Sequence, residues 1–326
     1  MLIPVILLAV GFVLLIKGGD WFVDGATGIA RRFHLPELLI GATVVSIGTT
    51  LPEVMVSAGA ALQGSGSIAY GNAIGSIICN TSLIAALTIA IKPGSAPRKS
   101  LIVPVLFFFG AAVLYSGIAY LTGYFSLVTG IILLAIFLCY MITTVLRMKS
   151  MSTKAPAEEE SEAEENEKKS PLIKDILLLV VGAAAIAVGA DLLVDNAIII
   201  AESLGVSEKV IGLTIVALGT SLPELVTAIT ALLKGHGSLS LGNIIGANLF
   251  NLVLVSGAAI TLNPFSVPAS GYIAGINSSL VIDIPVMFAV MLILTVPTLI
   301  RQKLARWQGI LMLAIYAAFI ALQFVL

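Results

Sequence analysis

The sequence predicts an all-α polytopic membrane protein with ten transmembrane helices arranged as two inverted five-helix repeats. Three observations carry that prediction. The 326 residues are 59% hydrophobic and 11% charged, with a mean hydropathy of +1.10, whereas soluble domains carry about 25% charged residues. The apolar sequence is interrupted near its middle by AEEESEAEENEKK, which holds seven glutamates and no large apolar side chain. Finally, GATVVSIGTTLPE, from Gly41 to Glu53, returns as GLTIVALGTSLPE, from Gly212 to Glu224.

A spanning helix needs about 20 apolar residues, fewer where it is broken. The first candidate, 2–18, lacks the basic start and cleavage site of a signal peptide and reads as a retained helix. Segments 36–61 and 69–91 carry the first acidic motif and the glycine-rich stretch after it. Segments 101–121 and 125–147 complete the first repeat, 1–147. The stretch 148–172 is too charged to pack and reads as a solvated cytoplasmic linker. The second repeat, 173–326, holds 173–195, 209–233, 239–261, 278–299 and 305–325.

Lysine and arginine favour the cytoplasmic side. With the N-terminus outside, ten helices place 16 of the 17 basic residues in inner loops, and only Lys209 falls outside. A miscounted helix would scramble that sorting. The repeat is the second test. Pairing residue n with n+171 needs no gap from Asp20 to Asn80, and 18 of 40 positions match between 41–80 and 212–251. The matches include Gly, Thr, Pro, Glu and Asn, which shared apolar composition does not supply. Five helices per repeat, an odd number, insert the copies in opposite orientations, the design of alternating-access transporters.

The chemistry of the motif follows from its residues. A carboxylate at membrane depth is costly and marks a functional site. Pro52 and Pro223 lack an N–H and clash with the carbonyl four residues back. This frees carbonyls near Ser46–Gly48 and Ala217–Gly219, which are tolerated only where they line a polar interior. Thr49, Thr50, Thr220 and Ser221 add hydroxyls. Glu53 and Glu224 add four carboxylate oxygens. The next helices, GNAIGSIICN and GNIIGANLFN, contribute Ser76, Asn80, Asn248 and Asn251. This all-oxygen set of charge −2 suits Ca2+, which takes six to eight oxygens. Sodium shares the preference for hard oxygen ligands. The lack of a His/Cys cluster argues against zinc or copper.

Paired GTxLPE motifs, each followed by a GNxxGxxxxN helix, resemble the sodium/calcium exchanger branch of the cation/calcium antiporter superfamily, of the prokaryotic type. The resemblance covers essentially the whole chain. It implies exchange of Ca2+ for Na+ without a cofactor, as a multi-pass plasma-membrane protein acting as a monomer in the lipid bilayer. It implies Glu53 and Glu224 as central calcium ligands with Thr49 and Thr220 assisting. Ser46 and Ala217 would offer carbonyls to flanking sodium sites, Ser76 would serve one side, and Asn80 would sit at the centre. The first and sixth helices would slide against a core of motif-bearing helices. Two positions depart from the pattern: many relatives have Ser at Ala247 and Asp at Asn251. Asp there accompanies potassium co-transport in some relatives, so Asn251 implies exchange independent of potassium.

Plainer roles are expected elsewhere. Asp20, Asp24, Asp191 and Asp195 are expected at helix ends, pairing with Lys17 or capping. His34 and His236 are expected to face solvent, Asp283 to open the ninth helix, and Cys79 to pack beside the site. Cys79 and Cys139 both lie in apolar runs and indicate no disulfide framework. The acidic linker lacks an EF-hand pattern. Nothing in the chain suggests a nucleic-acid partner. Three other functions remain open on the residues alone. A proton/calcium antiporter would use the same glutamates. A cation channel usually repeats one filter around a symmetric oligomer. An intramembrane hydrolase would need an activated water and a substrate cleft.

Overall fold

The computed structural model describes residues 2–152, 171–204, 219–269 and 271–325. Ten helices account for nearly all of them: α1 Leu2–Arg32, α2 Glu37–Leu62, α3 Gly66–Ile91, α4 Arg98–Thr122, α5 Leu127–Ser152, α6 Leu172–Ser203, α7 Leu222–Leu233, α8 Gly237–Leu262, α9 Ser279–Arg301 and α10 Arg306–Val325. Nine of these are long and apolar enough to cross a membrane among the described residues, and α7 is a shorter apolar helix. The predicted span 209–233 lies partly outside the described residues. So does most of the acidic linker.

Two helices run further than their hydropathy predicts. The sequence suggests that the first ends at 18 and the sixth at 195, but α1 continues to Arg32 and α6 to Ser203. In α1 the reason is packing. Gly18, Phe22, Gly25 and Ala26 recur on one buried face, so polar neighbours such as Asp20 and Asp24 ride on the other side of an unbroken helix. Asp191 and Asp195 are likewise internal to α6 and do not cap it.

Helices α1 and α6, which correspond under the 171-residue register, run antiparallel. A Cβ on Gly11 would lie 2.8 Å from the Gly189 carbonyl, and one on Gly25 would lie 2.5 Å from the Asp175 carbonyl. Position along one helix rises as position along the other falls. Glycine at these crossings lets the two backbones touch. At one end of the pair Arg32 Nε lies 3.6 Å from Asp175 Oδ2.

The remaining helices form the core. Among the described residues four of them contain π-helical turns: Gly41–Val45 in α2, Asn80–Ala85 in α3, Asn251–Val255 in α8 and Ser279–Asp283 in α9. Such turns concentrate at functional sites. Those in α3 and α8 begin at Asn80 and Asn251, one repeat apart, and both side chains are fully buried. Asp283 sits in the turn that opens α9 and accepts a hydrogen bond from Gln323 Nε2 at 3.1 Å.

Around this frame, Tyr115 stacks on Phe125 with centroids 4.4 Å apart, and Phe137 meets Phe250 edge-on at 5.2 Å. Tyr140 donates to the Ala42 carbonyl at 2.7 Å, bracing α5 against the wide turn of α2. Strands β1 Tyr124–Phe125 and β2 Phe265–Ser266 pair antiparallel, joining the α4–α5 and α8–α9 loops. Leu138, Ile142 and Val145 on α5, and Ile173 and Val180 on α6, leave apolar flanks exposed, as a lipid-facing surface requires.

Two expectations about charges are corrected. Asp20 and Asp24 pair with Lys234, not Lys17, at 3.2 and 2.8 Å. Partial burial opposes the Lys234 ammonium, but the two aspartates outweigh it and raise its pKa above the usual lysine value. His236 is not simply solvent-facing, since its Nδ1 lies 2.7 Å from Glu37 Oε1 and ties α8 to the start of α2. His34 is exposed, as expected.

Candidate ion-binding site

Helix α2 presents Ser46, Thr49, Thr50 and Glu53 within two turns, at spacings that share a face. All four are buried, and Glu53 is 0% exposed. Pro52 lies inside α2, whose wide turn at Gly41–Val45 precedes the motif. The second copy folds differently. Thr220 and Ser221 lie in a turn, α7 starts afresh at Leu222, and Glu224 occupies its first turn, again 0% exposed. A helix N-terminus favours a carboxylate. Near-identical motifs therefore present their glutamates from unlike backbones, one within a continuous helix and one at a helix start. The two carboxylates are near enough to interact electrostatically.

Helices α3 and α8 pack against both motif helices and supply the amides. Cys79 is buried within electrostatic reach of Glu53 and Glu224, and Tyr316 donates to its sulfur at 3.8 Å.

The hydrogen-bond partners divide these residues into two groups. Among the described residues, both oxygens of Glu53 and of Glu224 are buried without a partner, as are Thr50 Oγ1, Ser76 Oγ, Ser221 Oγ, both amide atoms of Asn80 and Asn251, and Asn248 Oδ1. More than about nine in ten buried polar groups find partners in folded proteins. A concentration of orphaned oxygens around two carboxylates is the chemistry of a site that takes a hard cation. Among the described residues no group of three or more His, Cys, Asp or Glu converges, so the donor set stays one of carboxylate, hydroxyl and amide oxygens.

The second group is engaged within the protein. Thr49 Oγ1 donates to Asn243 Oδ1 at 3.2 Å. Ser46 Oγ lies 2.7 Å from the Gly41 carbonyl and 3.0 Å from the Asn243 carbonyl, so its one proton is used between α2 and α8. Asn248 donates to Thr81 Oγ1 at 2.7 Å and leaves only its carbonyl oxygen uncommitted. Ala217 lies outside the described residues. Ala247, fully buried, gives the wall no hydroxyl where Ser76 gives one in the first repeat.

Three residues around the site are not among those singled out from the sequence: Asn243, Asn72 and Thr227. Asn243 holds Thr49, while Asn72 donates to the Glu53 carbonyl at 3.1 Å and to Ser57 Oγ at 2.8 Å. They are 171 residues apart, the Asn of each GNxxG, so the repeat register itself carried the signal. Thr227, buried with an orphaned hydroxyl, is paired with Val56 in that register and had no such signal.

A family model described as sodium/calcium exchanger protein matches residues 3–146 and 174–325. The chain belongs to that family. It is 31% identical to the sodium/calcium exchanger MaX1 of Methanosarcina acetivorans, over 98% of each chain. It is 36% identical to a putative antiporter, CaxA, of Alkalimonas amylolytica, over 100% of this chain and 99% of the relative. A solved structure of the sodium-calcium exchanger NCX_Mj, soaked with sodium and strontium, superimposes with a TM-score of 0.80 at 36% identity, covering 98% of each chain.

Proposed function

We propose that this exchanger trades Ca2+ for Na+ at a single cage built around Glu53 and Glu224. Thr49 and Thr220 assist calcium. Ser46, Thr50, Ser76, Asn80, Ala217, Ser221, Asn248 and Asn251 form sodium or shared positions. The observation that carries this reading is the pair of fully buried carboxylates, none of whose four oxygens has a partner among the described residues. Uncompensated charges in a low-dielectric interior cost several kcal/mol each, on the order of the whole stability of a domain. A cation must therefore accompany the glutamates through any state closed to water on both sides. That requirement couples one ion's exit to another's entry and makes the protein an exchanger rather than a leak.

Residues 1–147 and 173–326 act as the two half-units, joined by the linker 148–172. The wider assignment is a plasma-membrane monomer with the N-terminus outside and the linker in the cytoplasm, supported by the sorting of basic residues. Calcium uptake into sodium-loaded vesicles tests the central claim. The unmodified protein should take up calcium, and Glu53→Gln or Glu224→Gln should fall to background. Strong uptake by either variant would remove the claim.

A second reading is proton-coupled calcium exchange, since Ala247 supplies no hydroxyl and Asn251 no charge at the positions where the family resemblance implies Ser and Asp. Collapsing the sodium gradient while holding the pH gradient separates the two. Sodium coupling predicts loss of uptake, and proton coupling predicts its persistence.

A further inference from the structure

We propose that Lys234 with Asp20 and Asp24 forms a one-sided electrostatic latch, closing the face of the protein on which α7 ends and having no counterpart among the described residues of the opposite face. The proposal rests on the alternating-access reading of the fold.

The latch is built where α1 crosses α7. Lys234 directly follows α7, and its ammonium lies 2.8 Å from Asp24 Oδ1, 3.2 Å from Asp20 Oδ1 and 3.1 Å from the Asp20 carbonyl. The two aspartates are one helical turn apart, so a single ammonium reaches both. Beside them the helices are in direct contact. A Cβ on Gly19 would come within 2.8 Å of both Val226 Cγ1 and Thr230 Oγ1. Charge pairing and close packing coincide at one crossing, and α1 lies flat on the C-terminal half of α7.

The 171-residue register states what the mirrored crossing would need. Asp20 and Asp24 have mirrors in Asp191 and Asp195 on α6, but Lys234 is mirrored by Gln63 and His236 by Ser65. The acids are duplicated and the bases are not. Among the described residues neither Asp191 nor Asp195 has a basic partner, and both are exposed. The packing is one-sided as well. The mirror of Gly19 against Val226 and Thr230 is Ala190 against Met55 and Gly59, yet Met55 is 74% exposed and a Cβ on Gly59 would meet nothing within 4 Å. The two helices are packed together where the base is present and are not where it is replaced.

In the mirrored state α1 would lift from α7 and separate the pairs, while α6 would settle on α2 with Gln63 facing two aspartates. No described residue would supply an ion pair to offset those lost. The equilibrium between the two faces is therefore biased toward the arrangement seen. The groups are partly exposed, with side-chain exposures of 29% for Lys234, 37% for Asp20 and 52% for Asp24. Pairs of this kind shift a population ratio by about two- to fivefold, enough to set a resting state and small enough for ion binding to overcome.

The test reads accessibility rather than flux, so it stands even if the ligand roles of Glu53 and Glu224 fail. A Val226→Cys reporter is placed in a Cys139→Ala background of the full chain, reconstituted in vesicles. A membrane-impermeant thiol reagent is then applied on the side where α7 ends. Labelling should be slow in this parent. Lys234→Gln should raise the rate about two- to fivefold. Gln63→Lys, an exposed-turn substitution that supplies the missing base, should raise it too by favouring the mirrored state. Lys234→Asp should also raise it, and adding Asp24→Lys should restore protection. Unchanged labelling in both Lys234→Gln and Gln63→Lys, or failure of the charge swap to restore protection, would overturn the proposal.

Discussion

Thr49 donates its hydroxyl hydrogen to the amide oxygen of Asn243 at 3.2 Å, a bond that crosses from one repeat to the other. It ties the helix carrying Glu53 to the helix carrying Asn248 and Asn251, so the geometry of the cage depends on both halves at once. Asn243→Ala leaves the Thr49 hydroxyl buried without its partner and opens a small void. Stability should fall by about 1–3 kcal/mol. The KM for calcium should rise, because Thr49 is no longer held. A thermal-unfolding series run beside calcium-uptake kinetics checks both. An unchanged KM with lowered stability would confine Asn243 to packing.

Calcium should stabilise this protein against heat if, as proposed, the orphaned oxygens bind it. A ligand at 100 times its Kd adds about 2.7 kcal/mol to a state that alone binds it. Addition of calcium should therefore raise Tm, and a chelator should reverse the rise. The response should be lost in Glu53→Gln and Glu224→Gln, although each of these variants removes a buried charge and should itself be no less stable in chelator.

Restoring a hydroxyl at position 247 should sharpen sodium dependence. Ala247 is fully buried in α8 and mirrors Ser76. A Ser there adds one hard oxygen to the wall at little change of volume. Under sodium coupling, Ala247→Ser should lower the sodium concentration needed for half-maximal calcium exchange. A flat response would show that this wall does not face a sodium position.

The helices and the acidic pair were legible in the sequence because each depends on strong local signals. Apolar runs mark spans, and a carboxylate after proline in such a run has few structural explanations. The repeat register extended that signal to Asn80 and Asn251, and both open wide turns in the interior. Helix ends were less legible. Asp20 and Asp24 look like residues leaving the membrane when hydropathy alone is read, yet they sit in mid-helix because their neighbours Phe22 and Ala26 pack inward. The unlike backbones around Glu53 and Glu224 were hidden entirely, since near-identical motifs predict like folds. The pairing of Lys234 with α1 joins residues more than two hundred positions apart, and no local pattern in either segment announces it.

The approach of α2 to α8 gives a last prediction, at Gly246. A Cβ there would collide with Ser46 Oγ and with the backbone of Ala42. Neither neighbour can give way cheaply. Ser46 is held by the Gly41 and Asn243 carbonyls, and Ala42 lies in the wide turn braced by Tyr140. Gly246→Ala should therefore push α2 away from α8, at a cost of about 1–3 kcal/mol for overpacking a tight interior. It should also displace Thr49 and Glu53 relative to Asn248 and Asn251, so calcium uptake should fall further than the loss of folded protein explains. At Gly75, the residue in the mirrored position, an added Cβ would meet nothing within 4 Å in the arrangement seen. Gly75→Ala should leave Tm close to that of the parent. Equal Tm losses for the two variants, measured on purified protein, would refute the tight α2–α8 contact, and a normal uptake rate in Gly246→Ala would separate that contact from the site.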